Sequence, residues 1–269
     1  MDTQDFQLLA ELLKMRSGLM VTPAQTGLME SRLLPVAHLH GLHSISQLCA
    51  VLRIAPTYTL RMDVCEAMAT GETSFFRDIT PYAYFCGTVL PLLMQNNAAQ
   101  TLRIWSAACA TGQEPYTIAM CIEEERTALA GREVEILASD FSAKMLVRAR
   151  AGIYSQFEAQ RGLPIQLLVK YFTPLPDTSW QVGERLRGSV QCLQQNLLDT
   201  YNALGVFDSI FCRNVLIYFD TDTKLRIIAK LARALQPGGV LVLGTTEMLP
   251  PTHGFEPMGL SGVYRKITA

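Results

Sequence analysis

Leu102-Arg103-Ile104-Trp105-Ser106-Ala107-Ala108-Cys109-Ala110-Thr111-Gly112-Gln113-Glu114-Pro115 passes from a strand, through a loop of small residues, into a helix. Leu102 to Trp105 reads as a short strand, and Pro115 stands in the first turn of a helix, where its missing N–H costs nothing. Small side chains let a ligand approach the backbone closely, and Gly112 permits a tight turn. With one glycine rather than three, the loop is not the GxGxxG dinucleotide fingerprint. It has no GK[ST] either, so it is not a Walker A loop.

Outward from this stretch the same alternation continues. Helices are expected at Pro115 to about Leu129, Ala143 to Ala151 and Asp222 to Leu235. Strands are expected at Glu133 to Ala138, Phe207 to Cys212, Gly239 to Leu243 and Gly262 to Ile267. That order predicts an α/β domain with a mostly parallel sheet and helices on both faces. One segment breaks the rhythm. Trp180-Gln181-Val182, Glu184 to Arg187 and Val190 to Leu193 read as short strands with turns at Gly183 and Gly188. They predict a small antiparallel β-subdomain at about 171–194.

Toward the N-terminus the period becomes helical. Phe6, Leu8, Leu9, Leu12 and Leu13 recur at helical spacing, and Gly18 closes that segment. Further helices are expected from Ala24 to about Leu39, from Ser44 to Leu52 with Ser44 as N-cap, and from Thr57 to about Met68. The expected organisation is an all-α domain at 1–70, a linker and connecting helix at 71–100, and an α/β domain at 101–269.

Composition excludes several classes. The chain has 269 residues, 49% hydrophobic and 17% charged, with mean hydropathy +0.18. A disordered chain needs the opposite balance. A formal charge of −1 provides no basic field for nucleic acid. Leu33 to Leu52 and Ile79 to Leu102 lack charged residues, but both are broken by proline and polar side chains. Neither supplies the ~20 apolar residues of a spanning helix. Met1 leads into Asp2 and Asp5 rather than a basic signal region, so a soluble protein is expected. The seven cysteines have no CxxC spacing, which points to a reducing cytoplasm. His38, His40 and His43 have no matching cysteine or carboxylate cluster, and no metal is expected.

In an open α/β sheet the ligand lies beyond the carboxyl ends of the strands. Four such ends are polar: 106–115, Ala138-Ser139-Asp140, Gln194-Gln195-Asn196-Leu197, and Cys212-Arg213-Asn214 continuing to Tyr218. Asp140, under 30 residues beyond the small-residue loop, has the placement for gripping a ribose diol, although a lone Asp after a strand more often caps a helix.

With these ends, Thr70-Gly71-Glu72-Thr73-Ser74-Phe75-Phe76-Arg77, Thr111-Gly112-Gln113-Glu114-Pro115-Tyr116 and Phe211-Cys212-Arg213-Asn214-Val215-Leu216-Ile217-Tyr218-Phe219 resemble the CheR-type chemotaxis receptor methyltransferases. The resemblance spans nearly the whole chain. It implies a class I, Rossmann-like S-adenosylmethionine-dependent methyltransferase domain with a β-subdomain insert, preceded by an all-α domain. The implied activity is methylation of glutamate side chains on methyl-accepting chemotaxis receptors, in bacterial signal transduction and adaptation, with S-adenosylhomocysteine as product.

The resemblance also implies roles. Glu114 and Asp140 would hold the adenosine portion, with Asp140 on the ribose hydroxyls. Asn196 and Leu197 would flank adenine. Thr73 and Arg77 would close over the methionine end. Arg213 and Asn214 would follow at the next strand end, with Tyr218 beside the transferring methyl. Arg77, Asn214 and Tyr218 would be the catalytic set. Gly71, where the family often has Asn, would make a backbone contact only.

The residue types suit that chemistry. Displacement at a sulfonium methyl is mainly a matter of positioning. A glutamate, with an unperturbed pKa of ~4.3, arrives ionised and needs no base. The motif regions contain no histidine; His253 falls in a Pro-rich loop and the other three in the helical domain. Arg77 and Arg213 have the fork geometry for carboxylates.

The implied partner is the cytoplasmic helical domain of the receptors. Glu30 to His40, the implied docking stretch, carries Arg32 as its only arginine, with His38 and His40 to make docking pH-sensitive. Phe172 to Val182 lacks the Gly-x-Gly of members that bind a receptor tail peptide, so tight tail binding is not expected. An alternative is a non-catalytic S-adenosylmethionine-binding regulator, against which Arg77, Asn214 and Tyr218 speak. Asn214-Val-Leu-Ile-Tyr218 echoes the [DN]PPY of amino-methylating nucleic-acid enzymes but lacks both prolines.

Overall fold

The computed structural model describes residues 1–96, 101–249 and 254–267; Asn97 and His253 lie outside them. The chain forms two compact units, Met1–Thr70 with Tyr218–Leu225, and Gly71–Ile217 with Arg226–Ala269.

The first unit contains helices α1 (Thr3–Ser17), α2 (Thr26–Leu39), α3 (Ile45–Ile54) and α4 (Tyr58–Met68). Each start has a local cause. Asp2, Ser44 and Thr57 accept the backbone N–H of Asp5, Gln47 and Leu60, satisfying donors that the helix leaves over. Gly18 ends α1 in the left-handed conformation (φ 75°) that glycine adopts without strain. Leu9, Leu13, Met29, Leu33, Leu48 and Val64 are fully buried. Arg32 and His40 are committed inside this unit. Arg32 donates to the Met68 carbonyl at 3.0 Å, and His40 Nε2 lies 2.8 Å from Asp63 Oδ2.

The second unit begins with α5 (Thr80–Tyr84), a π-helical turn at Phe85–Val89 and α6 (Leu90–Asn96). Then follow β1 (Leu102–Ala107), α7 (Gln113–Glu124), β2 (Val134–Asp140), α8 (Ala143–Ala151), β3 (Ile153–Tyr154), α9 (Gln156–Gln160), α10 (Ile165–Tyr171), β4 (Phe172–Pro174) and β5 (Trp180–Val182). The remainder is α11 (Glu184–Ser189), β6 (Val190–Gln194), β7 (Phe207–Cys212), α12 (Thr221–Ala234, whose residues up to Leu225 belong with the first unit), β8 (Leu235–Leu243), β9 (Phe255–Pro257) and β10 (Val263–Lys266). Among the described residues the main sheet runs β6-β2-β1-β7-β8-β10-β9. The strands from β6 to β8 are parallel; β10 is antiparallel to both its neighbours. Central parallel strands are covered on both faces and read as continuous apolar runs. Ile104, Trp105, Ile210, Phe211, Val240 and Leu241 are accordingly buried.

Register aligns Ala107 with Ser139, Asp140 with Gln194, and Cys212 with Leu243. The carboxyl ends therefore share one edge, and the strand order reverses between β1 and β7, where a crevice opens in such sheets.

The β-subdomain differs from the sequence expectation. Its antiparallel sheet is β3-β5-β4, drawing in Ile153–Tyr154. Glu184–Ser189 is a helix rather than a strand, and Val190–Gln194 joins the main sheet beside β2. The glycines that read as hairpin turns flank or lie within a short helix. Pairing of β6 with β2 spans some 50 residues, which local pattern does not report.

Candidate active site

The loop after β1 is held by its neighbours. The Cys109 N–H donates to the Ser139 carbonyl (2.8 Å), and the Ala110 N–H to Asp140 Oδ2 (2.9 Å). Asp140 Oδ1 accepts the Ser142 N–H at 2.9 Å. Two backbone amides thus orient one buried carboxylate at the end of β2. Ala108, Ala110 and Gly112 all have positive φ. A Cβ at Gly112 would come within 3.0 Å of both Ala149 Cβ and Tyr154 Oη, so the loop can lie this close to α8 only as glycine.

Around Arg213 a buried polar cluster forms. Arg213 is 6% exposed, and its guanidinium donates to Tyr82 Oη (2.7 Å), Glu114 Oε2 (3.3 Å), the Arg77 carbonyl (2.9 Å) and Asp78 Oδ2 (3.1 Å). Glu114 Oε1 accepts from Ser106 Oγ at 2.8 Å. Burial pushes the Glu114 carboxyl above the usual range, while Arg213 and Ser106 pull it back. For Arg213, burial alone would lower the pKa, but Tyr82, Glu114 and Asp78 outweigh it and the net shift is upward. Nε of Arg213 is buried without a partner among the described residues.

A second carboxylate organises the ends of β7 and β8. Glu247, 5% exposed, accepts the N–H groups of Asn214 (2.7 Å), Gly244 (2.8 Å) and Ile217 (3.2 Å). Asn214 has φ 56°. Of the seven non-glycine residues with positive φ among those described, Phe76, Asp78, Ala108, Ala110 and Asn214 lie in these site segments. Such conformations persist only where the surroundings hold them, and the hydrogen bonds above do so for Asp78, Ala110 and Asn214. Glu247→Ala would leave three N–H groups unmatched and is expected to destabilise the protein by about 3 kcal/mol. Urea denaturation checks this; a loss below about 1 kcal/mol would show that water replaces the carboxylate.

The remaining candidates are placed as follows. Gly71 lies against α8, where an added Cβ would first meet the Met145 methyl. Thr73 is half-buried. Arg77 Nη1 donates to the Glu72 carbonyl at 2.9 Å, and among the described residues no carboxylate pairs with this guanidinium. Asn196 accepts the Leu198 N–H through Oδ1 at 2.9 Å, and Leu197 is buried. Ile217 is the last residue of its segment in the α/β unit; Tyr218 belongs with the helical unit, where its carbonyl accepts the Met20 N–H. Phe75 and Phe219 are buried. Asp78, Tyr82 and Glu247 were not among the sequence candidates. The rule that marks Asp140, an acidic residue just past a strand, applies equally to Glu247 after β8.

Residues 71–263 match the family model described as CheR methyltransferase, SAM binding domain, and residues 4–58 match the CheR methyltransferase all-alpha domain. The chain belongs to the CheR methyltransferase family. It is 41% identical over 249 residues to chemotaxis protein methyltransferase 1 of Pseudomonas aeruginosa, covering 91% of this chain and 90% of that one. Chemotaxis protein methyltransferase Cher2 of Pseudomonas putida is 39% identical over 248 residues, with the same coverage. A Borreliella burgdorferi chemotaxis protein methyltransferase shares 32% over 255 residues, 93% of this chain and 89% of that one.

A CheR SAM-binding domain must accept a nucleoside with a ribose diol, an α-carboxylate and a sulfonium. The donor set here fits. A fixed carboxylate ends β2, a small-residue loop exposes backbone beside it, and Arg213 Nε is a buried donor that a carboxylate-bearing ligand can satisfy. Among the described residues no helix is long and apolar enough to cross a membrane.

Proposed function

We propose that this CheR-family protein transfers a methyl group from S-adenosylmethionine to glutamate side-chain carboxylates in the cytoplasmic helical domain of chemotaxis receptors. The products would be glutamyl methyl esters, which tune signalling adaptation. The observation that carries the glutamate assignment is Arg77: among the described residues its guanidinium forms no ion pair with a carboxylate, so its fork can take an incoming one. The incoming carboxylate would accept from the remaining N–H groups of that guanidinium.

When bound, S-adenosylmethionine supplies an electrophilic methyl group. Asp140 is read as binding the ribose hydroxyls, Asn196 and Leu197 as flanking adenine, and Glu114 as supporting the adenosine side. Gly71, Thr73, Arg213 and Asn214 line the methionine end. Arg77 orients the glutamate, and Tyr218 walls the methyl while donating through its hydroxyl. A glutamate carboxylate is ionised at neutral pH, so these residues need only orient it and limit water.

Docking on a basic face of α2 has little support, since Arg32 and His40 are engaged within the unit. The β4–β5 connection closes as a tight turn, with Leu175 N–H on the Ser179 carbonyl (2.8 Å) and Asp177 Oδ1 accepting from Ser179. That compact turn supports the absence of tight tail-peptide binding.

The test is methyl transfer from labelled S-adenosylmethionine to receptor cytoplasmic fragments, followed by base. Label released as methanol is the expected result. Base-stable label would assign transfer to nitrogen, and no transfer to any fragment would remove the receptor as substrate.

A further inference from the structure

Three consecutive carbonyls converge on one ammonium beside the segment read as the adenine site. Lys230 Nζ, from α12, donates to the carbonyls of Leu197 (2.8 Å), Leu198 (2.7 Å) and Asp199 (2.9 Å). An ammonium has three N–H groups, and each is used here. The Leu197 carbonyl also accepts from Tyr201 Oη at 2.6 Å, and the Tyr201 ring lies 5.2 Å below Nζ. That ring packs edge-on to Trp105 of β1, with centroids 5.0 Å apart. The turn is tied at its other end by the Gln195 N–H on the Asp140 carbonyl (3.0 Å) and by the Asp199 N–H on the Asn196 carbonyl (3.0 Å).

Successive carbonyls do not aim at one point in helix or strand, and their aligned negative ends repel. A cation at the focus turns that repulsion into attraction, so the turn keeps this shape because Lys230 is there. We infer that Lys230 is a positioning residue for the cofactor site, holding the 197–199 turn so that Asn196 and Leu197 present one shape to adenine. The inference rests on the reading of Asn196 and Leu197 as adenine neighbours. Among the described residues the hydrogen bonds of Lys230 Nζ go to backbone carbonyls, with the Tyr201 ring beside it.

The test uses the full chain and calorimetric titration with S-adenosylhomocysteine. Lys230→Met is expected to weaken binding about tenfold and to raise KM for S-adenosylmethionine in step, with kcat at saturation within about twofold of wild type. In the ligand-free protein, the Leu198 and Asp199 amides should exchange hydrogen faster. Lys230→Arg keeps the charge but spreads its donors over a planar fork, and is expected to weaken binding about threefold. Should Lys230→Met fail to fold, this variant decides. Unchanged affinity in a folded variant, with or without a lower melting temperature, overturns the inference, because a purely structural lysine would behave that way. Asn196→Ala separates the two readings. If it weakens binding while the Lys230 variants do not, the positioning role falls and the adenine reading stands; if it too changes nothing, the adenine reading falls and takes the inference with it.

Discussion

Arg213→Met is expected to lower the melting temperature by about 10 °C, corresponding to a loss of roughly 3–5 kcal/mol. The reason is what the side chain leaves behind. Glu114 is 8% exposed and, among the described residues, would keep only Ser106 as a hydrogen-bond partner, and the buried Tyr82 hydroxyl would lose its bond from a charged donor. Methionine fills the volume but satisfies neither. Removing one member of a buried pair costs far more than removing both, so adding Glu114→Gln to Arg213→Met should recover much of the loss. Lysine is no substitute, since a single ammonium cannot reach Tyr82, Glu114, Asp78 and the Arg77 carbonyl as the planar fork does. Differential scanning calorimetry decides. A melting temperature within about 2 °C of wild type, or a double variant less stable than the single, would show that the cluster is solvated and contributes little.

The same cluster shows where sequence reading stops. The strand end at Cys212 and the N-cap at Ser44 follow from local period and capping chemistry, and the structure has them, whereas β2 runs past the expected Ala138 to Asp140 and Thr57, expected to open its helix, caps it. Arg213 could be placed at a strand end, but the inward turn of its guanidinium depends on Asp78 and Tyr82, more than 130 residues earlier in the chain. Glu247 stands past a strand as Asp140 does, but its role is hidden for a similar reason, because its three amide partners meet only when β7 and β8 lie side by side. Glu184 to Arg187 reads as a strand between glycine turns because the six-residue helix it belongs to has too few positions to show a period. Chemistry-bearing residues on strand ends are thus legible, while the residues that hold them in place come from distant elements.

Asp140→Ala is expected to weaken S-adenosylhomocysteine binding about a hundredfold, from the loss of charge-assisted hydrogen bonds worth about 1.5–3 kcal/mol and of the loop they organise. The two losses can be separated. In the structure one carboxylate oxygen takes the Ala110 N–H and the other the Ser142 N–H, so the side chain shapes the β1 loop in addition to its proposed contact with the ribose. Asn at this position keeps size and one acceptor oxygen, but its NH2 group must face one of those two backbone donors. Asp140→Asn should therefore weaken binding by about tenfold or more even though it is nearly isosteric. If the residue serves only to tie the β1 loop to the segment before α8, both variants would lower thermal stability and leave affinity within about threefold of wild type. Calorimetric titration of the three proteins with S-adenosylhomocysteine, beside titration with a 2′-deoxyribose analogue, reads the difference. The analogue should lose most of its disadvantage in Asp140→Ala, because a missing hydroxyl matters only where a carboxylate is present to bind it. An undiminished penalty for the deoxy analogue in that variant would assign the ribose contact to another residue.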